Sequence, residues 1–280
     1  MGKRAKGVLR VRSILITGVS SGLGRALAAR AHAAGWRVFG TTRREGTAAE
    51  HGFPDGITLL RLELRLPQAP RTFAARFIAE HGVPDVLVNN AAQAAYGPVE
   101  LMDADALRQL FQVNVFSAIE LTTGFLPGMR DRGSGTIANV TSIGGRTVFP
   151  FFTTYNATKH ALEGFSEGLW HELKPFGIRV KVIEPGYVET PIYDVMSGVH
   201  RSYGAYGPAV EAMDAFARGV KRWTSPEAAA EQVLAAIEDT SGRLRYPVAA
   251  YARSLLAARA LLGSELFIKV MHARWRRPDR

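Results

Sequence analysis

Short apolar runs alternate along the chain with longer segments of helical periodicity. The short runs predict six strands, at Ser13–Thr17, Arg37–Thr41, Ile57–Glu63, Val86–Asn89, Thr136–Thr141 and Arg179–Glu184. The longer segments predict helices at Gly22–Ala34, Pro67–His81 and Tyr155–Lys174. Strands that are apolar throughout are typical of parallel sheets with helices on both faces. The alternation therefore predicts an α/β fold, with a doubly wound parallel sheet in three layers, α/β/α.

The chain shows no repeat, low-complexity linker or break in composition, so its 280 residues are predicted to form a single domain. Two stretches depart from the strand–helix alternation. Thr190–Trp223 is rich in Gly, Tyr, Met and Pro. It predicts either an irregular segment that covers a ligand or an exposed surface loop. Tyr251–Trp275 is rich in leucine, and its spacing predicts one or two amphipathic helices.

Composition excludes several classes of protein. Hydrophobic residues make up 47% of the chain and charged residues 21%, as in ordinary soluble globular proteins. The chain has no cysteine, which excludes disulfides, thiolate nucleophiles and cysteine-ligated metals. The histidines show no metal-ligand spacing with carboxylates, so we expect no metal. We see no signal-peptide core or membrane-spanning run, and we expect a cytoplasmic protein.

The net charge of +10 raises the question of an anionic partner, such as nucleic acid, a membrane surface or a phosphate-bearing small molecule. Basic residues concentrate at the two ends, in Lys3–Arg12 and Arg274–Arg280, without forming a continuous stripe. We therefore predict solvated tails, with residues 1–12 as a basic tail, and no nucleic-acid binding. Residues 250–280 form an amphipathic and basic extension, for which we consider a weak contact with a membrane surface.

A glycine-rich turn joins the first predicted strand to the first predicted helix, in Thr17–Gly24. The glycines at 18, 22 and 24 permit a tight turn and let backbone N–H groups approach a pyrophosphate. The N-terminus of the following helix supplies a partial positive charge for the phosphates. The turn therefore predicts a dinucleotide-binding site.

The end of the second predicted strand indicates which dinucleotide binds. An acidic residue there would hold the ribose 2′-hydroxyl of NAD, whereas an arginine accommodates the 2′-phosphate of NADP. Thr42 is neutral and Arg43 follows it, so we predict NADP(H) in preference to NAD(H). The alternative is that Arg43 and Arg44 are solvated and paired with Glu45.

A tyrosine and a lysine in one predicted helix fit an acid–base site. Tyr155 and Lys159 are four residues apart in a predicted helix and project from one face. Ser142 follows a predicted buried strand, and Asn114 lies in the helix before that strand. A free phenol titrates near ~10, so a tyrosine acting at neutral pH needs a nearby cation. We expect Lys159, helped by the positive charge of an oxidised nicotinamide, to lower the pKa of Tyr155.

The pattern TGxxxGxG in Thr17–Gly24, followed by Asn114, Ser142, Tyr155 and Lys159 in that order, resembles the short-chain dehydrogenase/reductase superfamily over roughly residues 10 to 250. The resemblance implies a Rossmann fold, a homodimer or homotetramer, and hydride transfer between a nicotinamide cofactor and a substrate. It implies that Tyr155 is the general acid/base and that Ser142 binds the substrate oxygen. Lys159 would bind the nicotinamide ribose, and Asn114 would position Lys159 through water.

The resemblance also assigns cofactor contacts. Most of them lie at or just after the ends of the predicted strands, and Tyr155 and Lys159 lie in a predicted helix. The assigned contacts are Gly18, Ser20, Ser21, Gly22, Leu23, Gly24, Arg43, Glu63, Leu64, Asn90, Ala91, Tyr155, Lys159, Pro185, Gly186, Val188 and Thr190. Two positions depart from the family's pattern. Ala92 replaces the usual glycine and would strain its loop if its φ were positive. Glu63 replaces the usual aspartate beside the adenine.

The family's substrate loop corresponds to residues 187–223. Aromatic and apolar residues of this loop, and others before Tyr155, predict a lipophilic substrate or, alternatively, core and subunit contacts. They are Phe149, Phe151, Phe152, Tyr187, Val188, Tyr193, Val195, Met196, Tyr203, Tyr206, Met213 and Phe216.

The segment that begins at Arg245–Val248 is similar to the hydroxysteroid and retinol dehydrogenase subgroup. We therefore expect an NADP-dependent oxidoreductase that interconverts a hydrophobic secondary alcohol and a ketone or aldehyde, with a steroid-, retinoid- or lipid-like substrate. The alternatives are a reductase of 3-oxoacyl groups or other polar carbonyls, and a non-catalytic protein that senses the dinucleotide.

Overall fold

The computed structural model describes residues 11–193 and 203–275. Seven strands form one parallel sheet over these residues, in the spatial order β3-β2-β1-β4-β5-β6-β7. Their bounds are β1 Ser13–Ile16, β2 Arg37–Thr42, β3 Ile57–Arg61, β4 Val86–Asn89, β5 Gly135–Val140, β6 Ile178–Pro185 and β7 Arg245–Val248. The strand order reverses beside β1, so the carboxyl ends of β1 and β4 border a crevice in which ligands bind in such folds. The predicted doubly wound sheet is confirmed.

Helices cover both faces of the sheet. They are α1 Gly22–Ala33, α2 Ala69–His81, α3 Ala104–Phe111, α4 Ser117–Arg132, α5 Thr153–Leu173, α6 Gly207–Arg218, α7 Pro226–Glu238 and α8 Ala252–Trp275. A core cluster that includes Leu27 of α1 and Val233 of α7 lies on one face. A second cluster, with Phe77 of α2, Phe125 of α4 and Leu169 of α5, lies on the other. The result is the predicted three-layer α/β/α architecture.

Two elements differ from the sequence-based expectation. Residues 207–218, expected to be irregular, form helix α6, which buries Val210 and Met213 on one side. Residues 245–248 form the edge strand β7, for which no strand was predicted. Pro247 lacks a backbone donor, and an edge strand tolerates that loss because one side of its ladder is unpaired.

The C-terminal helix α8 consists of two helical segments joined at Gly263, whose φ is 71° and ψ 165°. In the first segment, Ala252 and Leu256 are buried against Ile143. Around and beyond the kink, most apolar side chains face solvent, and Leu261 is 86% exposed, whereas Phe267 is buried. Among the described residues, no helix combines the length and the apolar character needed to cross a bilayer. Most of the basic N-terminal tail, the last five residues, and Val195 and Met196 lie outside the described residues.

Candidate active site

A cleft of about 500 Å³ lies beyond the carboxyl ends of the central strands. Every residue expected to contact the cofactor lines this cleft, from Gly18 after β1 to Thr190 after β6. Three of the four expected catalytic residues, Ser142, Tyr155 and Lys159, line it as well. The cleft also has walls that the sequence did not indicate, among them Arg65, Val113 and Val140. No signal in a single sequence distinguishes Val113 and Val140 from ordinary core positions, or Arg65 from other exposed arginines.

The glycine-rich turn is closed too tightly to admit side chains. Gly18 and Gly22 have positive φ values of 72° and 54°. A Cβ on Gly24 would lie 2.3 Å from the Gly18 carbonyl oxygen and 2.4 Å from the Asn90 side-chain nitrogen. That Asn90 nitrogen donates hydrogen bonds to the backbone oxygens of Thr17 (2.9 Å) and Gly18 (3.2 Å). The Asn90 side chain therefore holds the turn in place.

The start of α1 suits a phosphate group. The side chain of Ser21, the N-cap residue, makes no capping hydrogen bond with any described residue, and the first turn carries no acidic side chain. The leading backbone N–H groups of a helix have no intrahelical acceptor, and they carry the positive end of the helix dipole. The residues present therefore fit the pyrophosphate of a dinucleotide.

Charged groups at the end of β2 and after β3 mark the other end of the cleft. Arg43 is exposed and has no ion pair with a described residue, while Glu45 pairs with Arg61 instead. Glu63 is held by Arg65, whose guanidinium donates to both carboxylate oxygens at 2.9 and 2.6 Å. This pairing lowers the pKa of Glu63 to about 2. Among the described residues, the alternative ion pair between Glu45 and Arg43 is therefore not formed.

Tyr155 and Ser142 meet at the inner end of the cleft. Ser142 follows β5 and caps a short 3₁₀ turn, because its Oγ accepts a hydrogen bond from the Gly144 N–H at 3.0 Å. Tyr155 lies in the first turn of α5. Desolvation raises the pKa of Tyr155 to about 12, and a hydrogen bond with Ser142 opposes this increase.

Lys159 is buried one helical turn beyond Tyr155. Its Nζ donates a hydrogen bond to the Val140 carbonyl at 3.0 Å and lies 5.7 Å from the centre of the Tyr155 ring. Desolvation lowers the pKa of Lys159 to about 8, whereas the negative charge of Glu163 acts in the opposite direction and raises it. The expectation that Lys159 lowers the Tyr155 pKa is therefore not met by the protein's own groups, because burial penalises both charged forms.

Glu163 is fixed behind Lys159 on the next turn of α5. One carboxylate oxygen accepts from the Thr141 hydroxyl at 2.7 Å, and the other accepts from Arg245 Nε at 3.1 Å. Arg245 also pairs with Glu167 at 2.6 Å. A buried carboxylate with both oxygens bonded stays in place, so it supplies a constant negative potential near Lys159.

Asn114 lies outside the cleft lining. It is buried in a π-helical turn, Gln112–Phe116, between α3 and α4. Its side chain accepts from the Gln93 N–H at 2.8 Å, and it donates to the Gln93 carbonyl and to the Thr158 hydroxyl. Asn114 therefore ties the loop after β4 to the helix that carries Lys159, and its expected water-mediated contact with Lys159 stays a prediction.

The loop after β4 is not strained by its alanine. Over the described residues, the non-glycine positions with positive φ are Phe151, Ala249 and Tyr251, so Ala92 is not among them. The condition for strain at Ala92, a positive φ, is therefore not met.

A second cavity of about 350 Å³ opens beside the cleft. Ser142 and Tyr155 line both spaces, so the two join at these side chains. The walls of the second cavity are mainly apolar or aromatic and include Ile143, Phe149, Phe152, Tyr187, Ile192, Tyr193, Met213 and Trp223. The Tyr187 and Trp223 rings meet edge to face at 5.3 Å, and those of Tyr193 and Trp223 at 5.0 Å.

Several expected wall residues lie elsewhere. Val188 faces the dinucleotide cleft, and Tyr206 donates a 2.6 Å hydrogen bond to Glu100 instead. Phe151, Tyr203 and Phe216 are likewise not part of the cavity wall. Two charged residues that do line it, Asp214 and Arg218, were missed. They share the inner face of α6 with Met213 and Ala217, and only recognition of that helix would have revealed them.

The geometry of the cleft agrees with the comparison against known protein families. The profile of the short chain dehydrogenase family matches residues 12–197. The chain belongs to this family. It is therefore an oxidoreductase of the class that acts on CH–OH groups, and its family uses NAD or NADP as cofactor.

Individual members of the family resemble the chain over most of its length. The 17-beta-hydroxysteroid dehydrogenase type 1 of Mus musculus is 34% identical over 255 residues, which are 83% of this chain and 72% of that protein. The crystal structure of a short-chain dehydrogenase from Streptomyces avermitilis has 35% identity and a TM-score of 0.79, covering 94% of this chain and 98% of the other. A putative gluconate 5-dehydrogenase from Beutenbergia cavernae, with bound NADP, has 27% identity and a TM-score of 0.71, covering 85% and 96%.

Proposed function

We propose that this short-chain dehydrogenase interconverts a hydrophobic secondary alcohol and the corresponding ketone or aldehyde with NADP(H), by means of Tyr155 as general acid/base. The observation that carries the proposal is the position of Ser142 and Tyr155, which line both the dinucleotide cleft and the apolar cavity. A carbonyl in the apolar cavity would meet a hydroxyl donor and the nicotinamide at this junction. The decisive experiment is NADPH-dependent reduction of apolar ketones by the wild-type protein and by a Tyr155→Phe variant.

Each of the four proposed catalytic and positioning residues has a separate role in proton transfer. A nicotinamide cofactor held by the residues of the cleft would supply or accept the hydride. Ser142 would donate a hydrogen bond to the substrate oxygen and orient it. Tyr155 would transfer the proton to that oxygen, and Lys159 would stabilise the resulting phenolate. Asn114 would act as a positioning residue, since it holds Gln93 and Thr158 on either side of the site.

The apolar cavity supports a lipophilic substrate over the two alternatives. A reductase of 3-oxoacyl groups or polar carbonyls would need more polar contacts than these walls offer. The mouse relative is named for a hydroxysteroid, which is in keeping with a lipophilic substrate. A protein that only senses the dinucleotide would need neither an acid/base tyrosine nor a buried lysine beside it.

The preference for NADP(H) is expected to depend on Arg43. It lines the cleft, is exposed and is not neutralised by an ion pair with a described residue, so its guanidinium is available to a 2′-phosphate. We expect NADPH to raise the melting temperature more than NADH does at equal concentration. An Arg43→Ala variant should lose about tenfold in NADPH affinity, equivalent to ~1.4 kcal/mol, with little change for NADH.

Arg44 provides the matched control for this measurement, because it is an adjacent exposed arginine that does not line the cleft. An Arg44→Ala variant should keep the preference for NADPH. Equal stabilisation of the wild-type protein by NADPH and NADH would contradict the assignment of Arg43.

We also propose a homodimer or homotetramer and a cytoplasmic location. Exposed apolar side chains near Asn114, such as Phe116 at 49% exposure, support a subunit contact. Relatives in the family often form oligomers.

A weak contact of α8 with an anionic membrane surface is a further part of the proposal. Leu266, Ile268 and Val270 are exposed beyond the kink at Gly263, and the sequence there is basic. We expect the protein to sediment with vesicles that contain phosphatidylglycerol more than with phosphatidylcholine vesicles. Deletion of residues 264–280 should reduce that binding at least about tenfold, since each basic residue contributes ~1 kcal/mol at such a surface.

The truncation begins after Gly263 because the first segment of α8 packs against Ile143 in the wall of the apolar cavity. Ketone reduction by the truncated protein serves as the control for intact folding. If the truncated and full-length proteins bind anionic vesicles equally, α8 is not the contact.

A further inference from the structure

Helix α6 places two charged side chains in the wall of the apolar cavity. Asp214 and Arg218 are four residues apart and line the cavity beside Met213 and Ala217. They are the charged members of its lining among the described residues. Neither lines the dinucleotide cleft, whereas Ser142 and Tyr155 do. The pair is therefore a polar feature of the substrate cavity, apart from the reacting centre.

Asp214 is held in one orientation by Tyr96. The Tyr96 hydroxyl donates a 2.6 Å hydrogen bond to Oδ1 of Asp214. The Tyr96 ring packs on Phe152, with 4.9 Å between the ring centres. Burial and the Asp214 charge raise the pKa of Tyr96, so this hydroxyl remains a donor. The second oxygen, Oδ2, has no hydrogen bond from a described residue and is left as an acceptor at the cavity wall.

Arg218 lies one helical turn beyond Asp214 and is exposed at the edge of the cavity. It forms no ion pair with Asp214 or with another described residue. With respect to the described residues, the guanidinium is therefore an unused donor near a fixed acceptor. Such an arrangement would be costly to cover with a hydrocarbon, because both groups would lose water without gaining a hydrogen bond.

We propose that Asp214 and Arg218 form a subsite for a hydroxyl group of the substrate. This inference rests on the proposed function, and it narrows the substrate to an apolar ketone or alcohol with a second hydroxyl away from the reacting carbon. A hydroxyl satisfies both residues, because it donates to Asp214 and accepts from Arg218. A carboxylate or phosphate would be repelled by Asp214, and an ammonium group would be repelled by Arg218.

The test compares methyl ketones of about eight to fourteen carbons that end in CH₃, CH₂OH or COO⁻, assayed with NADPH. The range of lengths allows the terminal group to reach the subsite from the junction at Tyr155. At the best length, we expect the hydroxyl form to have a kcat/KM about 10- to 100-fold above the methyl form, as hydrogen bonds to charged groups give. The carboxylate form should not exceed the methyl form.

Variants assign the effect to the two residues. Asp214→Ala and Arg218→Met should each bring kcat/KM for the hydroxyl form to within about threefold of the value for the methyl form measured with the same variant. Arg222→Met is the matched control, because Arg222 is an exposed arginine four residues after Arg218 and does not line the cavity. It should keep the full preference for the hydroxyl form.

Tyr96→Phe separates a positioning role from a structural one. The ring and its packing on Phe152 are retained, while the hydrogen bond that orients Asp214 is removed. We expect a partial loss of the hydroxyl preference, expressed in KM and not in kcat, and normal reduction of the methyl form.

The outcomes distinguish this inference from the proposed function. Equal kcat/KM for the methyl and hydroxyl forms at every length would overturn the subsite and leave the proposed function standing. A preference for the carboxylate form that disappears in Arg218→Met would replace the hydroxyl subsite with an anion subsite. No reduction of any of the ketones would overturn the proposed function and the subsite with it.

Discussion

A Tyr155→Phe variant is expected to reduce apolar ketones at least about 1,000-fold more slowly than the wild-type protein, within the range that a positioned acid/base contributes. The substitution removes only the hydroxyl group. The ring keeps its edge-to-face contact with Phe152, whose centre lies 6.1 Å away. NADPH binding should change by less than about threefold, because the proposed phosphate site is at the glycine-rich turn and the start of α1, which the substitution does not touch. The measurement is kcat from the loss of NADPH absorbance, together with NADPH affinity from thermal shift.

The pH dependence supplies the control for this prediction. Since the pKa of Tyr155 is about 12, its hydroxyl holds its proton at neutral pH and serves as the acid for reduction. Lys159, with a pKa of about 8, is charged below that pH and neutral above it. Wild-type kcat for reduction should therefore fall as the pH rises through about 8, because the phenolate that forms loses its cationic neighbour. Residual activity of Tyr155→Phe within tenfold of the wild type would show that another group delivers the proton.

The central strands could be predicted from the sequence because each is buried on both faces. Every residue of β4 and β5 is buried, so each appears as a short, mainly apolar run without regular alternation of apolar and polar residues. Strand β7 is different, because it lies at the edge of the sheet and alternates between buried and partly buried positions. An edge strand of four residues that contains Pro247 has no such run, and its pairing with β6 depends on the tertiary structure.

Helix α6 was not predicted from the sequence because of the composition of the segment. It begins at Gly207 and Pro208 and is filled with alanine, and only Val210 and Met213 are fully buried. Val210 and Met213 have a helical spacing, but the Gly and Pro at the start of the segment and the Gly- and Tyr-rich residues before it are typical of a loop. Because α6 was not predicted, two residues of the site were missed. Asp214 and Arg218 are four positions apart in the sequence, and this spacing makes them neighbours only when the segment is a helix.

The candidate site was predictable wherever chain order determines position. Ser142 follows β5, and Tyr155 and Lys159 share one face of α5, so the fold brings them to the same edge of the sheet. The pKa values were not predictable in this way. A cation near a phenol suggests a lowered pKa, but desolvation acts on both groups and reverses the direction. Burial of this kind depends on every side chain packed around the site, and spacing along the chain carries no information about it.

A Gly24→Ala variant is expected to lose at least about 100-fold in NADPH affinity, equivalent to ~2.7 kcal/mol. The added Cβ would lie 2.3 Å from the Gly18 carbonyl oxygen and 2.4 Å from Asn90 Nδ2, closer than non-bonded atoms approach. The strand–helix turn must therefore open, and the Asn90 hydrogen bond to Gly18 must lengthen or break. Either movement displaces the N–H groups at the start of α1 from the position of the phosphates. Such overpacking should also destabilise the fold by ~1–3 kcal/mol, which is measurable as a lower melting temperature.

Gly164→Ala separates the loss of binding from a general effect of removing a helical glycine. Gly164 is exposed on α5, and a Cβ there would have no atom within 4 Å. Alanine favours a helix interior over glycine by ~1 kcal/mol, so this control should bind NADPH normally and melt at a slightly higher temperature. The melting temperature should therefore fall in Gly24→Ala and rise in Gly164→Ala. Since both substitutions add the same methyl group to a helix, this difference would come from the geometry of the turn. If Gly24→Ala bound NADPH within threefold of the wild-type affinity, the glycine-rich turn would not be the phosphate site, and the position of Arg43 in the cleft would need a different ligand to explain it.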